Sequence, residues 1–290
     1  MRPENLLRIL LVSALSLTLI LIQSKYYMSN RYADIAEGFL LKDEYNSSFN
    51  AAKTSLQLNI HNTSAYVVMA KLNLLSYEHT SKEDFFHTAF VAIRDAIENS
   101  PYEPFYYDLA GQIYLAHKDF NDAIRMYKIA ISLYPHYIYF YTMLAYIYYI
   151  SGNNDRALSV LNGLSGLYTD YLYVSHPDNI DILHALFLKS CILYNLNERQ
   201  KALSSLSKIL SLVDNKIPID NPVRRDKRIV SLKYIESITL HNMGIVSMEL
   251  DKKTEALSYL NNATMLTPQL KGRRDFFMIF SICRQSTDTH

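Results

Sequence analysis

The sequence predicts an all-α chain: a solenoid of about six similar helix pairs, preceded by one helix apolar enough to cross a membrane. Three observations predict it. A helical pattern centred on residues 105–135 recurs along the chain, residues 6–22 are nearly all apolar, and strand signals are missing. With 7 glycines and 8 prolines in 290 residues, and no β-branched runs, the turn-rich punctuation of a mixed α/β fold is absent.

In chain order, residues 1–5 form a short tail and 6–25 a transmembrane signal-anchor helix. Only Arg8, two serines and a threonine interrupt the stretch 6–22. With Arg8 and Lys25 snorkelling, the span approaches the roughly 20 residues that one bilayer crossing needs. Tyr26 and Tyr27 stand where an interfacial aromatic belt would lie. A cleaved signal peptide and a buried solenoid helix are the alternatives. Against cleavage, no Ala-x-Ala pattern precedes Gln23-Ser24, and no cysteine follows the run. Arg2, Arg8 and the terminal amine precede the span, and Lys25 and Arg31 follow it. That balance favours a cytoplasmic N-terminus and a body outside, in periplasm or lumen.

The repeating pattern is clearest in 105–135. Its first helix carries Ala110, Gly111 and Tyr114, a polar break falls at Lys118-Asp119, and the second helix places Ala123, Ile124, Tyr127, Ala130 and Ile131 on one face before Pro135. Thirty-four residues later stand Leu144, Ala145, Tyr148, Gly152, Ala157 and Leu161. Gly244, Ala256, Leu260, Ala263 and Pro268 keep the spacing of Gly111, Ala123, Tyr127, Ala130 and Pro135. Ala89, Ile93, Ala96 and Pro101 repeat the second helix, after a first helix around Met69-Ala70 and a long loop at 77–84. Ser190, Ala202, Leu206 and Ile209 mark a fifth copy, and Ala36, Tyr45 and Ala52 a degenerate first one. The units therefore fall at 29–62, 63–103, 104–137, 138–171, 183–216 and 237–270. Spacers occupy 172–182 and 217–236, and a capping helix and tail follow at 271–290. Three or more such units stack into a stable solenoid.

Small residues at the helix crossing, an aromatic one turn later, an alanine in the second helix and a closing proline resemble the tetratricopeptide repeat (TPR) family across 29–270. The chain has no tryptophan, and tyrosine takes its place. The resemblance implies a right-handed α-solenoid whose first helices line a peptide-binding groove. In this register the groove takes Asp108 and Gln112, then Tyr139, Thr142, Tyr146 and Tyr149. It continues through His184, Phe187, Tyr194 and Asn195 to His241 and Ile245. Residues 138–150 are apolar nearly all round, so their tyrosines are either covered or form an exposed contact patch. Thr142, Tyr146, Phe187 and Cys191 stand where a chaperone-binding member would carry Lys, Arg and Asn. A hydrophobic or aromatic protein segment is the ligand this groove expects.

Signals for chemistry are missing. Nine scattered histidines make no i, i+4 metal pattern, and no GxSxG, Walker or GxGxxG motif occurs. Glu103, Asp108 and Asp119 read as caps or solvated groups. No catalytic, cofactor or metal site is assigned. The formal charge of +1 gives no reason to bind nucleic acid. The basic run Arg224-Arg225-Asp226-Lys227-Arg228 reads as a solvated helix start, with anionic lipid as its alternative partner. Cys191 and Cys283 read as buried apolar groups. The sequons at Asn46, Asn62 and Asn262 matter only in a eukaryotic secretory lumen. The expectation is a membrane-anchored scaffold for protein–protein interactions in a bacterial cell-envelope assembly. The alternatives are an accessory subunit that positions a catalytic partner and a cytosol-facing anchored receptor.

Overall fold

A computed structural model of the chain describes residues 3–164, 180–214 and 222–266. The described residues form twelve helices and no strand. They are α1 (Pro3–Leu40), α2 (Tyr45–Leu58), α3 (Thr63–Thr80), α4 (Glu83–Asn99), α5 (Pro104–Ala116), α6 (Phe120–Leu133), α7 (Ile138–Ile150), α8 (Asn154–Gly163), α9 (Ile180–Asn195), α10 (Arg199–Asp214), α11 (Pro222–Glu249) and α12 (Lys253–Leu266). Consecutive helices pack as six pairs, and the chain divides into two compact bodies, Met1–Tyr134 and Pro135–His290. In the first body α1, α3 and α5 also touch in succession, and in the second α7 touches α9.

Each pair closes through one left-handed residue: Asp43, Ser81, Lys118, Gly152, Asn197 and Asp251, with φ between 53° and 81°. In five pairs the turn is a Schellman motif. Lys118 N–H donates to the Leu115 carbonyl and Asp119 N–H to that of Tyr114, and the same pair of bonds recurs at Asp43, Gly152, Asn197 and Asp251. Ser81 makes the simpler version, a single bond to the Tyr77 carbonyl. Only one of the six is glycine, so five turns hold an L-residue where the left-handed region is costly.

Seven residues before the turn stands the small residue of the crossing: Ala36, Gly111, Ala145, Ser190 or Gly244. All five are buried. Sixteen residues after it, the second helix offers the side chain that fills the crossing: Ala52, Tyr127, Leu161, Leu206 or Leu260. A Cβ on Gly111 would lie 2.6 Å from the Tyr127 ring, and one on Gly244 would lie 2.6 Å from Leu260 Cγ. Helices approach this closely only because the side chain is missing.

The second pair departs from this spacing. Eleven residues separate Ala70 from Ser81, and eight separate Ser81 from Ala89, where other pairs show seven and five. The excess lengthens α3 and α4 by about a turn each. What the sequence suggests as a long loop at 77–84 is therefore helix through Thr80 and again from Glu83. Within the spacer expected at 217–236, α11 begins at Pro222 and runs on unbroken into the last pair. The basic run at 224–228 lies in its first turns. The capping helix and tail expected at 271–290, and most of the spacer at 172–182, fall outside the described residues.

Helix α1 is continuous from Pro3 to Leu40. Every described side chain from Leu10 to Met28 is exposed, and Ser29 is the first buried one. One helix is thus long and apolar enough to span a membrane, and it is also the first helix of the first pair. At the boundary, Ser29 Oγ donates to the Ser55 carbonyl (2.9 Å), and Asn62 Nδ2 donates to Ser29 Oγ (2.8 Å) and Asn30 Oδ1 (2.9 Å). Asn62 Oδ1 also caps α3 by accepting from Ala65 N–H. Asn62 is 5% exposed, so its sequon is closed to any glycan.

Candidate functional site

The faces built from first helices differ between the two bodies. In the first body Glu37 of α1, Lys71 of α3 and Gln112 of α5 each follow the small crossing residue of their helix. Lys71 Nζ lies 3.7 Å from the Glu37 carboxylate. Asp108 sits inside α5 rather than at a cap, half-buried, and Tyr127 reaches from α6 to donate its hydroxyl to Asp108 Oδ1 at 2.8 Å. Burial pushes the Asp108 carboxyl up from its ordinary range, against hydrogen bonds from Gln112 and Tyr127 and the charge of Lys71. This wall carries alternating charge. The sequence reading picks out Asp108 and Gln112 but misses Glu37 and Lys71, which the same register finds in the first two pairs.

In the second body the expected groove positions separate into covered and open ones. Thr142 is buried, its hydroxyl returned to the Ile138 carbonyl of its own helix. Tyr149, 5% exposed, accepts at its hydroxyl from Asn195 Nδ2, which ties α7 to α9. Phe187 is buried at 5%, and Tyr194, at 9%, donates its hydroxyl to the Glu249 carboxylate of α11. The Arg199 guanidinium stacks 3.9 Å from the Tyr194 ring centroid and pairs with Glu249. Thr142 and Phe187 are thus buried, and Tyr149 and Tyr194 are tied to neighbouring helices, so these four of the expected groove positions are covered in this structure. Apolar side chains on a helix that is apolar all round find cover within their own body.

Tyr139, Tyr146, His241 and Ile245 are half-buried, and His184 is exposed. Tyr139 leans on Tyr137 and Phe140, with ring centroids at 5.9 and 6.1 Å. Burial raises the Tyr146 phenol and lowers the His241 imidazole from their ordinary values. Among the described residues no three His, Cys, Asp or Glu side chains come together as metal ligands.

Cys191, next to Ser190 on α9, is 2% exposed and stands in a disulfide, where the sequence suggests a plain buried thiol. Cys283, the only other cysteine, lies outside the described residues.

No family model matches this sequence, and none of the curated proteins matches it. Solved structures do. PilF of Pseudomonas aeruginosa is similar with a TM-score of 0.56 at 11% identity, over 90% of this chain and 99% of that one. YrrB, a TPR protein with an unusual peptide-binding site, gives 0.44 at 15% identity, over 81% of this chain and 98% of that one. TTC0263, a thermophilic TPR protein of Thermus thermophilus, gives 0.46 at 14% identity, over 70% and 98%. Six helix pairs, five of them sharing one crossing register and one Schellman turn, in a chain similar to PilF over 90% of its length, have the tetratricopeptide-repeat fold.

Proposed function

We propose that the chain is a membrane-anchored docking scaffold, without catalysis of its own, that holds a protein segment on its first-helix faces on the extracytoplasmic side of an envelope membrane. The observation that carries this reading is α1, whose bare apolar stretch continues without a break into the first helix pair. An apolar helix that the described residues leave bare suits lipid better than water. The open positions supply the docking chemistry. Asp108, Gln112, Lys71 and Glu37 offer polar recognition in the first body. Tyr139, Tyr146, His184, His241 and Ile245 offer aromatic and apolar contact in the second.

The test is position-specific photocrosslinking in native membranes. Probes at Gln112 and Tyr146 should trap a discrete polypeptide, while probes at Lys128 and Leu257, exposed on second helices, should not. Equal trapping from both faces, or none from the first-helix faces, contradicts the reading.

A further inference from the structure

The end of the first body from which α1 emerges carries two bare apolar side chains that the docking faces do not use. Asn62, which closes the α2–α3 turn, is bonded to Ser29 and Asn30, so residues 59–62 lie level with the point where α1 leaves the packed body. The His61 ring meets Asn99 Oδ1 at 3.0 Å, which brings the end of α4 and the following turn at 100–103 to the same end. On these two turns Ile60 is 64% exposed and Tyr102 83% exposed. Tyr26 and Tyr27, 59% and 62% exposed, stand on α1 one turn before Asn30.

The distances suit a bilayer surface. From Asn30 back to Tyr26 is about 6 Å of helix, and back to Lys25 about 8 Å. Each headgroup layer is roughly 5–8 Å thick. With Lys25, the last residue of the span, at the hydrocarbon edge, Tyr26 and Tyr27 lie among the headgroups and the two turns lie about 8 Å above that edge, at the outer limit of the headgroup layer. Because α1 has no break between Ile22 and Asn30, the body cannot drift away on a linker. Charge at this end is mixed, with Lys25 and Arg31 against Glu98 and Glu103. The attraction is therefore to the interfacial zone and not specifically to anionic lipid.

We infer that Ile60 and Tyr102 form a second membrane contact, in which the α2–α3 and α4–α5 turns rest on the lipid interface beside the span and hold the first body against the bilayer. This inference rests on the proposed anchoring by α1. A chain without tryptophan makes the test clean. Single-tryptophan variants Leu19→Trp, Ile60→Trp, Tyr102→Trp and Leu41→Trp are placed, as full chains, in phosphatidylcholine vesicles with and without brominated acyl chains. Leu41, 82% exposed in the α1–α2 turn, lies at the opposite end of the body and serves as the aqueous reference. Ile60→Trp and Tyr102→Trp should show blue-shifted emission and a quenching several times that of Leu41→Trp, though weaker than Leu19→Trp. If Leu19→Trp is quenched while Ile60→Trp and Tyr102→Trp match Leu41→Trp, the anchor stands and the second contact is overturned, leaving those side chains to some other partner. If Leu19→Trp itself is not quenched, the anchoring falls and this contact with it.

Discussion

Gly111 and Tyr127 occupy one space: the hydrogen of the glycine faces the tyrosine ring where a Cβ would lie 2.6 Å from Cε2 and 2.9 Å from Cδ2. Tyr127 is fully buried and its hydroxyl is held by Asp108, so the ring has nowhere to retreat. Gly111→Ala should destabilise the first body by about 1–3 kcal/mol in urea denaturation. Gly244→Ala meets Leu260 at a similar distance, but that flexible side chain is only half-buried. Its cost should be smaller.

The Tyr127–Asp108 bond makes a second prediction. Tyr127→Phe leaves a half-buried carboxylate with Gln112 as its remaining side-chain donor and should cost about 1–3 kcal/mol at neutral pH. Asp108→Asn keeps an acceptor for Tyr127 and removes the charge that burial disfavours. It should cost less than Tyr127→Phe. The reverse order in equilibrium unfolding would show that the carboxylate is needed for its charge.

His117 predicts a pH dependence. Its Nδ1 lies 2.7 Å from Asp119 Oδ2, its Nε2 3.2 Å from Glu83 Oε2, and its ring stacks on Phe86 at 3.9 Å. Both nitrogens can donate only in the imidazolium. The hydrogen bond to Asp119, with Glu83 adding to it and desolvation opposing it, raises His117 above its ordinary 6.5. A basic group raised on folding stabilises fully below its unfolded value, and the gain fades as pH climbs through the folded value. Hydrogen exchange in the α3–α4 tip, corrected for intrinsic rates, should therefore quicken as pH rises above about 6.5. His117→Asn should remove that dependence.

Tyr149 and Tyr146 should behave oppositely. Tyr149→Ala empties a buried site and strands Asn195, so thermal unfolding should show a loss of about 3 kcal/mol or more. Tyr146→Ala should leave helicity and melting nearly intact while weakening partner crosslinking. Equal melting losses would make both tyrosines structural and remove Tyr146 from the docking face.

The crossing register is legible in sequence because it needs a small residue and a filler sixteen positions later, as Gly111 with Tyr127 and Gly244 with Leu260 show. Two of the closing turns are legible as well, as the polar break at Lys118-Asp119 and its copy at Gly152, but the other four lack glycine and their closing bonds are backbone to backbone. For the same reason the polar stretch around Ser81 passes for a loop when it is two lengthened helices. Groove positions are the least legible. Exposure of Tyr149 or Phe187 depends on neighbours from distant helices, and α7 has no polar face to mark its open side. The disulfide at Cys191 escapes sequence reading because pairing depends on a spatial approach that spacing does not encode.

One unbroken helix, α1, joins the proposed membrane anchor to the first helix pair. Spin labels introduced at Leu15 and Asp34 by non-cysteine chemistry, in the full chain in nanodiscs, measure it by dipolar spectroscopy. An unbroken α1 predicts a single narrow distribution centred near about 28 Å. A broad or markedly shorter distribution would place a hinge between membrane and body and contradict the account.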